Sequence, residues 1–252
     1  MIVGTFYKAT GEAKHGPPTS LLHKFLSIHP SLQQIYGHVT FPKDNGNEIV
    51  CRMRQKNSII FGCSNASLKE NRASHARVIS LGDIDDLSNP NLHICGHGPV
   101  HGYQPNLSSA RSKLQGITVV TIILKLLFEF HSYTVKAQVV CGNQGVINKC
   151  KNGSLHRLRH HREANVDLYL TQRDLQSSLN LDLQWVKGHA DKQPWESLHD
   201  LKSQQLSREE TYNVWCDKAA TKAWLQGDHS SSDPEVSVTE KWVFYSMYPS
   251  YH

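Results

Sequence analysis

The stretch WVKGHADKQPW (185–195), with SREETYNVWCDKAATKAW (207–224) after it, runs a strand-like Trp-Val pair into Gly188-His189 and then opens a helix that carries Asp217 one turn beyond Asn213. Ser207, with Glu210 three residues on, is a capping-box pair, so the helix is predicted over about 207–227. A histidine loop set against a helical aspartate is half of a site for metal-assisted phosphoryl chemistry. There, two divalent ions roughly 4 Å apart clamp the attacking water and the leaving oxygen. The other half has to come from strands upstream.

Three candidates lie there. NSIIFGCSNASL (57–68), ASHARVISLGDI (73–84) and NLHICGHGPV (91–100) are separated by polar turn material and predict an antiparallel meander. A helix capped by Ser108 or Ser109 then runs through ARSKLQGITVVTIILKLLFEF. Its β-branched residues favour a strand, but about twenty residues exceed the usual strand length. The strand YTVKAQVVCGN (133–143), a short helix QGVINKCK, the helix NVDLYLTQRDLQSSL and the strand NLDLQWVKGH complete the order. In the second of those helices Val166, Leu170, Leu175 and Leu179 are expected along one side. The order β-β-β-α-β-α-α-β-α predicts an α/β fold, a mixed five-stranded sheet flanked by helices. It brings the ends of the first and fourth strands within reach of the last helix.

The chain of 252 residues, 38% hydrophobic and 19% charged, can build a core. Residues 1–56 read as an N-terminal linker with one or two short helices, 57–227 as the main domain and 228–252 as a tail that turns aromatic at its end. Its 27 Lys and Arg against 22 Asp and Glu give +5, a mild bias toward polyanions. The six cysteines show no metal-finger spacing, and the N-terminus lacks the apolar segment of a secretion signal, so an intracellular setting, nucleus or cytoplasm, is expected. The run at 116–130 is short for a bilayer and is broken by Lys125 and Glu129, so no membrane is expected.

The phrases SNASLK, SSARSKLQG, VVCGNQGVINK, WVKGHAD and LSREETYNVWCDKAAT, in that order, resemble the type 1 ribonuclease H domain, particularly the divergent copies joined to reverse transcriptases of retrotransposons. The resemblance covers roughly residues 57–227 and implies a ribonuclease H-like fold. It also implies four acidic residues that hold two Mg²⁺ or Mn²⁺ ions and cut the RNA strand of an RNA–DNA hybrid. Three of those places are altered here. Asn65 stands where an SDGS-like phrase has Asp, Lys113 where the long helix has Glu, and Gly142 where the fourth strand ends in Asp. Asp217 is retained, and His189 matches the histidine that such domains carry on a mobile loop for product departure or proton transfer.

The consequence follows from charge. Two divalent ions need several carboxylates to offset their mutual repulsion. An amide carries no charge and an ammonium carries the wrong one. Asp217 and His189 therefore read as a vestigial catalytic pair, Asp217 as a weak or unoccupied metal ligand, and no cofactor is expected; Mg²⁺ or Mn²⁺ would serve only an active enzyme. Asp191 on the histidine loop is the substitute ligand considered first. Glu70, Glu163, Asp167 and the group Asp83, Asp85 and Asp86 read as solvated surface charge, and His93, Cys95, His97 and His101 lack the convergence zinc requires.

The basic stretch after the fourth strand offers Lys149, Lys151, Arg157, Arg159 and Arg162, extended by Lys187 and Lys192. These could meet phosphates with salt-dependent, sequence-independent affinity, the partner being an RNA–DNA hybrid or a duplex. Trp185 and Trp215 read as packing residues. The leading expectation is a catalytically impaired ribonuclease H-like domain with weak nucleic acid binding. Its rivals are an active metal-dependent endoribonuclease using displaced acids, and a non-catalytic interaction module or retroelement relic. Oligomeric state is not legible.

Overall fold

The computed structural model describes residues 20–26, 37–56, 59–100, 107–152, 165–191 and 193–227. Its elements are α1 (Leu21–Leu26), β1 (His38–Thr40), α2 (Asn47–Lys56), β2 (Ile60–Lys69), β3 (Arg72–Ser80), a 3₁₀ turn (Ile84–Ser88), β4 (His93–Pro99), α3 (Ser109–His131), β5 (Ala137–Cys141), α4 (Gln144–Asn152), α5 (Val166–Ser177), β6 (Leu181–Trp185), α6 (Leu198–Lys202) and α7 (Arg208–Leu225).

The strands form one mixed sheet in the order β1-β4-β3-β2-β5-β6. β2 and β3 pair antiparallel through a turn at Glu70-Asn71, both left-handed (φ 51° and 57°), as a two-residue hairpin requires. β4 continues the antiparallel meander. β5 lies parallel to β2, with Ser64 opposite Cys141, and β6 lies parallel to β5. All five expected strands are present, in a mixed sheet flanked by helices. A sixth, β1, joins the edge by pairing His38 with His97.

β2 is central because alternate residues serve two cores. Ile60 packs with α3 residues, while Phe61 and Cys63 pack with Val140, Tyr212 and Cys216 on the α7 side. α3 lies unusually close to the sheet. A Cβ on Gly116 would fall 2.0 Å from Ser64 Oγ, and one on Gly62 would fall 2.7 Å from Val120 Cγ1. At 23 residues α3 outruns the apolar stretch read from sequence. It is long and apolar enough to cross a membrane, yet 72% of its most apolar window is buried in the fold, as in a core helix.

Two expectations change. The segment read as a connection up to residue 56 contains β1 and α2, and Ile49, Val50 and Met53 of α2 share the α3 core with Leu21 and Phe25. Asp44 organises α2 by accepting from the Gly46 and Glu48 amides. The signal was present in Asp-Asn-Gly followed by apolar residues at helical spacing. In α5 the side chains buried are Asp167, Leu168, Tyr169 and Gln172, not the Val166–Leu170 side. Asp167 is the cause. It takes the Arg111 guanidinium through two parallel bonds of 3.0 and 2.9 Å and is no surface charge.

Candidate functional site

The parallel strands β2 and β5 end side by side, since the pair Ser64 and Cys141 precedes Asn65 and Gly142 in register. The Val186 amide donates to Cys141 O and brings the end of β6 alongside. Ligands of open α/β sheets gather at such strand ends. α7 closes one side, and the Gly116 contact with Ser64 holds the first turns of α3, with Lys113, over the other. The fold thus brings Asn65, Lys113, Gly142, His189 and Asp217 to one locus.

The details were not legible beforehand. Asn65 is buried and turned inward: its Nδ2 donates to Asn213 O (3.3 Å) and its Oδ1 accepts from the Ala66 amide (2.9 Å). Asp217 is half-buried and meets His189, Nδ1 to Oδ2 at 3.3 Å, while the His189 side chain is 77% exposed on a left-handed backbone (φ 51°). Burial raises the Asp217 carboxyl above the usual carboxylate range; His189, Lys113 and Lys69 pull it back, and Asp191 pushes it further up. Asp191 is therefore close enough to be felt. Lys113 acts on both Asp217 and Cys141 electrostatically, yet among the described residues no carboxylate stands within ion-pairing distance of its ammonium.

Asn213 is the residue the sequence reading underused. Its side chain is fully buried, and neither Oδ1 nor Nδ2 has a hydrogen-bond partner. Both atoms face Gly142, lying 3.2 and 3.4 Å from where a Cβ would be, with Gly188 Cα at 3.5 Å. Placing Asn213 one turn before Asp217 was the available clue.

The donor set does not fit a pair of divalent metal ions. Asp217 is the one carboxylate among the four expected positions, Asn65 has spent its oxygen on a backbone amide, Gly142 offers nothing and Lys113 brings positive charge. Among the described residues no group of three His, Cys, Asp or Glu is arranged to hold a metal.

The remaining candidates lie elsewhere. Asp83 caps the 3₁₀ turn and Asp86 is buried beneath it, accepting from the Leu81 and Asp83 amides; burial raises its carboxyl. Glu70 sits in the hairpin turn. His93 Nδ1 bonds to the Asp86 and Asn89 carbonyls (both 2.9 Å), and His97 stacks on His38. Lys149 is exposed over the Tyr169 ring, Lys151 approaches Asp182 at 3.8 Å and Lys187 is exposed. Arg157, Arg159, His160, His161, Arg162, Glu163, His101, Lys192 and the aromatic tail lie outside the described residues. Trp215 is partly buried on the α7 core as expected, but Trp185, at the end of edge strand β6, is 49% exposed.

No protein-family model matches the chain, and no curated protein does. Among solved structures, the chain is similar to the N-terminal ribonuclease H domain of Rv2228c from Mycobacterium tuberculosis, solved as a fusion with maltose-binding protein (12% identity, 68% of this chain, 98% of that one, TM-score 0.38). It is also similar to ribonuclease H1 of the halophilic archaeon Halobacterium salinarum NRC-1 (10% identity, 66% and 98%, TM-score 0.34). These are distant likenesses. The fold rests on the strand order and register described above, and neither likeness bears on activity.

Proposed function

We propose that this chain is a catalytically impaired ribonuclease H-like domain, derived from a retroelement reverse transcriptase, that binds nucleic acid without cutting it. The observation that carries this reading is the set of side chains at the strand ends: of the four expected acid positions one holds a carboxylate, Asp217, and the others are Asn65, Lys113 and Gly142, where hydrolysis by two metals needs several acids. Retroelement descent rests on the sequence phrases alone. Binding is drawn from the exposed lysines Lys149, Lys151 and Lys187, of which Lys187 flanks the histidine loop, and from the net charge of +5.

The test is cleavage of a labelled RNA–DNA hybrid in Mg²⁺ and in Mn²⁺, run beside a salt-titrated binding assay. Binding that weakens with salt, and no cleavage traceable to this chain, are expected. Metal-dependent cleavage abolished by Asp217→Ala would overturn the reading. It would favour the rival in which Asp191, which acts electrostatically on Asp217, serves as a displaced ligand.

A further inference from the structure

The far edge of the sheet gathers a second group of metal-ligating side chains. β4 carries His93, Cys95 and His97 at alternate positions and so on one face. His93 is committed through Nδ1 to the Asp86 and Asn89 carbonyls, and Cys95 completes no triplet of ligands among the described residues. The partner that the sequence pattern does not show is His38, which β1 sets directly opposite His97. Their ring centroids lie 5.4 Å apart with the planes 22° from parallel. His38 is exposed and His97 partly so, which leaves both open to solvent.

The backbone around this pair is shaped for close approach. Gly37 precedes His38 with φ 60°, and a Cβ on it would fall 2.4 Å from both His97 O and Gly98 Cα. A Cβ on Gly96, next to His97, would fall 2.2 Å from His38 O. Glycine on each side thus lets β1 settle onto β4 at these two residues. Arg77, buried on β3, donates Nη2 to His38 O at 3.0 Å and holds β1 in that register. The main chain therefore keeps the two imidazoles together before any ligand arrives, which is what separates a chelate from two independent ligands.

We propose that His38 and His97 form a two-point site for zinc or a similar imidazole-seeking divalent ion, with water in the remaining positions. Two imidazoles on one tetrahedral zinc, at Zn–N distances of about 2.0–2.1 Å, have centroids about 5 Å apart, close to the separation here. Rotation of the rings, with both strands left in place, brings one nitrogen of each onto the ion. Each ring has two nitrogens, so one can keep a hydrogen bond while the other ligates. Mg²⁺ and Mn²⁺ prefer oxygen ligands and are not what this pair selects. The bound ion ties edge strand β1 to β4 in the folded chain alone and so stabilises the fold. The site lies three strands from β2 and does not depend on the nucleic acid reading.

The experiment is carbethoxylation of the full chain by diethyl pyrocarbonate over a zinc titration, read residue by residue by peptide mass spectrometry, with thermal unfolding alongside. Modification of His38 and His97 falls together at one half-saturating zinc concentration, that of the exposed His199 on α6 does not fall, and Mg²⁺ protects none of them. Zinc raises the thermal midpoint of wild type more than that of either variant below. His97→Phe keeps a ring against His38 but removes the chelate, so the zinc needed to protect His38 rises about ten-fold or more. His38→Phe does the same for His97. Should His97→Phe fail to fold, His38→Phe, at an exposed position, carries the test. No protection of either histidine at about 1 mM zinc, protection of the two at different zinc concentrations, or protection of His38 in His97→Phe at the wild-type concentration would overturn the site and leave the nucleic acid reading untouched.

Discussion

Asn213 and Asp217 occupy successive turns of one helix and carry opposite liabilities. The Asn213 amide is buried without partners, whereas Asp217 keeps a charge in a half-buried position. Leucine has the same branched heavy-atom shape as asparagine, so Asn213→Leu should stabilise the fold by about 1 kcal/mol, measured by urea unfolding. For Asp217 the sign follows from linkage. Its folded carboxyl is raised above the ordinary value, so the folded state binds the proton more tightly and stability falls as pH rises through that window. Asp217→Asn removes a cost that is present in full above the folded value and absent below the unfolded one. Its thermal midpoint should exceed that of wild type at neutral pH, and the difference should vanish as pH falls below the ordinary carboxylate range. A difference that grew toward low pH would mean that His189 more than compensates the burial. Burial pushes the Cys141 thiol, next to Gly142, up to about 11, and the Cys150 thiol on α4 up to about 12.

Among the elements, α3 governs the site, because it carries Lys113 and its position is set by two contacts far apart in sequence. Gly116 lets it touch β2 at Ser64, and Arg111 ties it to α5 through Asp167. Breaking a buried pair by removing one partner strands the other charge. Asp167→Ala should therefore cost about 3–5 kcal/mol, seen as a lower urea midpoint at unchanged slope. The double change Arg111→Met with Asp167→Leu should recover most of that loss, because no charge is left behind. Strand order and the caps at Ser108 and Ser207 were legible from sequence because they depend on local spacing and local hydrogen bonds. The side of α5 that is buried was not, because Arg111, 56 residues away, decides it by demanding a carboxylate. The same limit hid the Asn213 amide: a missing hydrogen-bond partner is a property of the folded chain. β1 lies beyond sequence patterning for a different reason, since a strand of three residues carries too little alternation to register, whereas the α2 signal was there in Asp44-Asn45-Gly46 and the apolar residues after it.

For the molecule as a whole, the sheet, α3 and α7 converge on one locus whose four expected acid positions hold a single carboxylate, Asp217, with the Lys113 charge acting on it, a balance that the proposed reading takes as too weak for two divalent ions. Asn65→Asp, Lys113→Glu and Gly142→Asp together should reverse this. A Cβ at 142 comes to 3.2 Å from Asn213 Oδ1, so a shift of a few tenths of an ångström suffices, and the new carboxylate gives Asn213 Nδ2 the acceptor it lacks. The triple variant has four carboxylates around one pocket, whose repulsion is relieved by metal binding to the folded state alone. Adding Mn²⁺ should therefore raise its thermal midpoint by several degrees, about what roughly 2–3 kcal/mol of ligand linkage produces in a domain of this size, while leaving wild type where it is. If wild type shifts equally, acids other than those four hold the metal and the charge argument fails. If neither shifts, carboxylates at these three positions do not suffice to build a metal site on this scaffold.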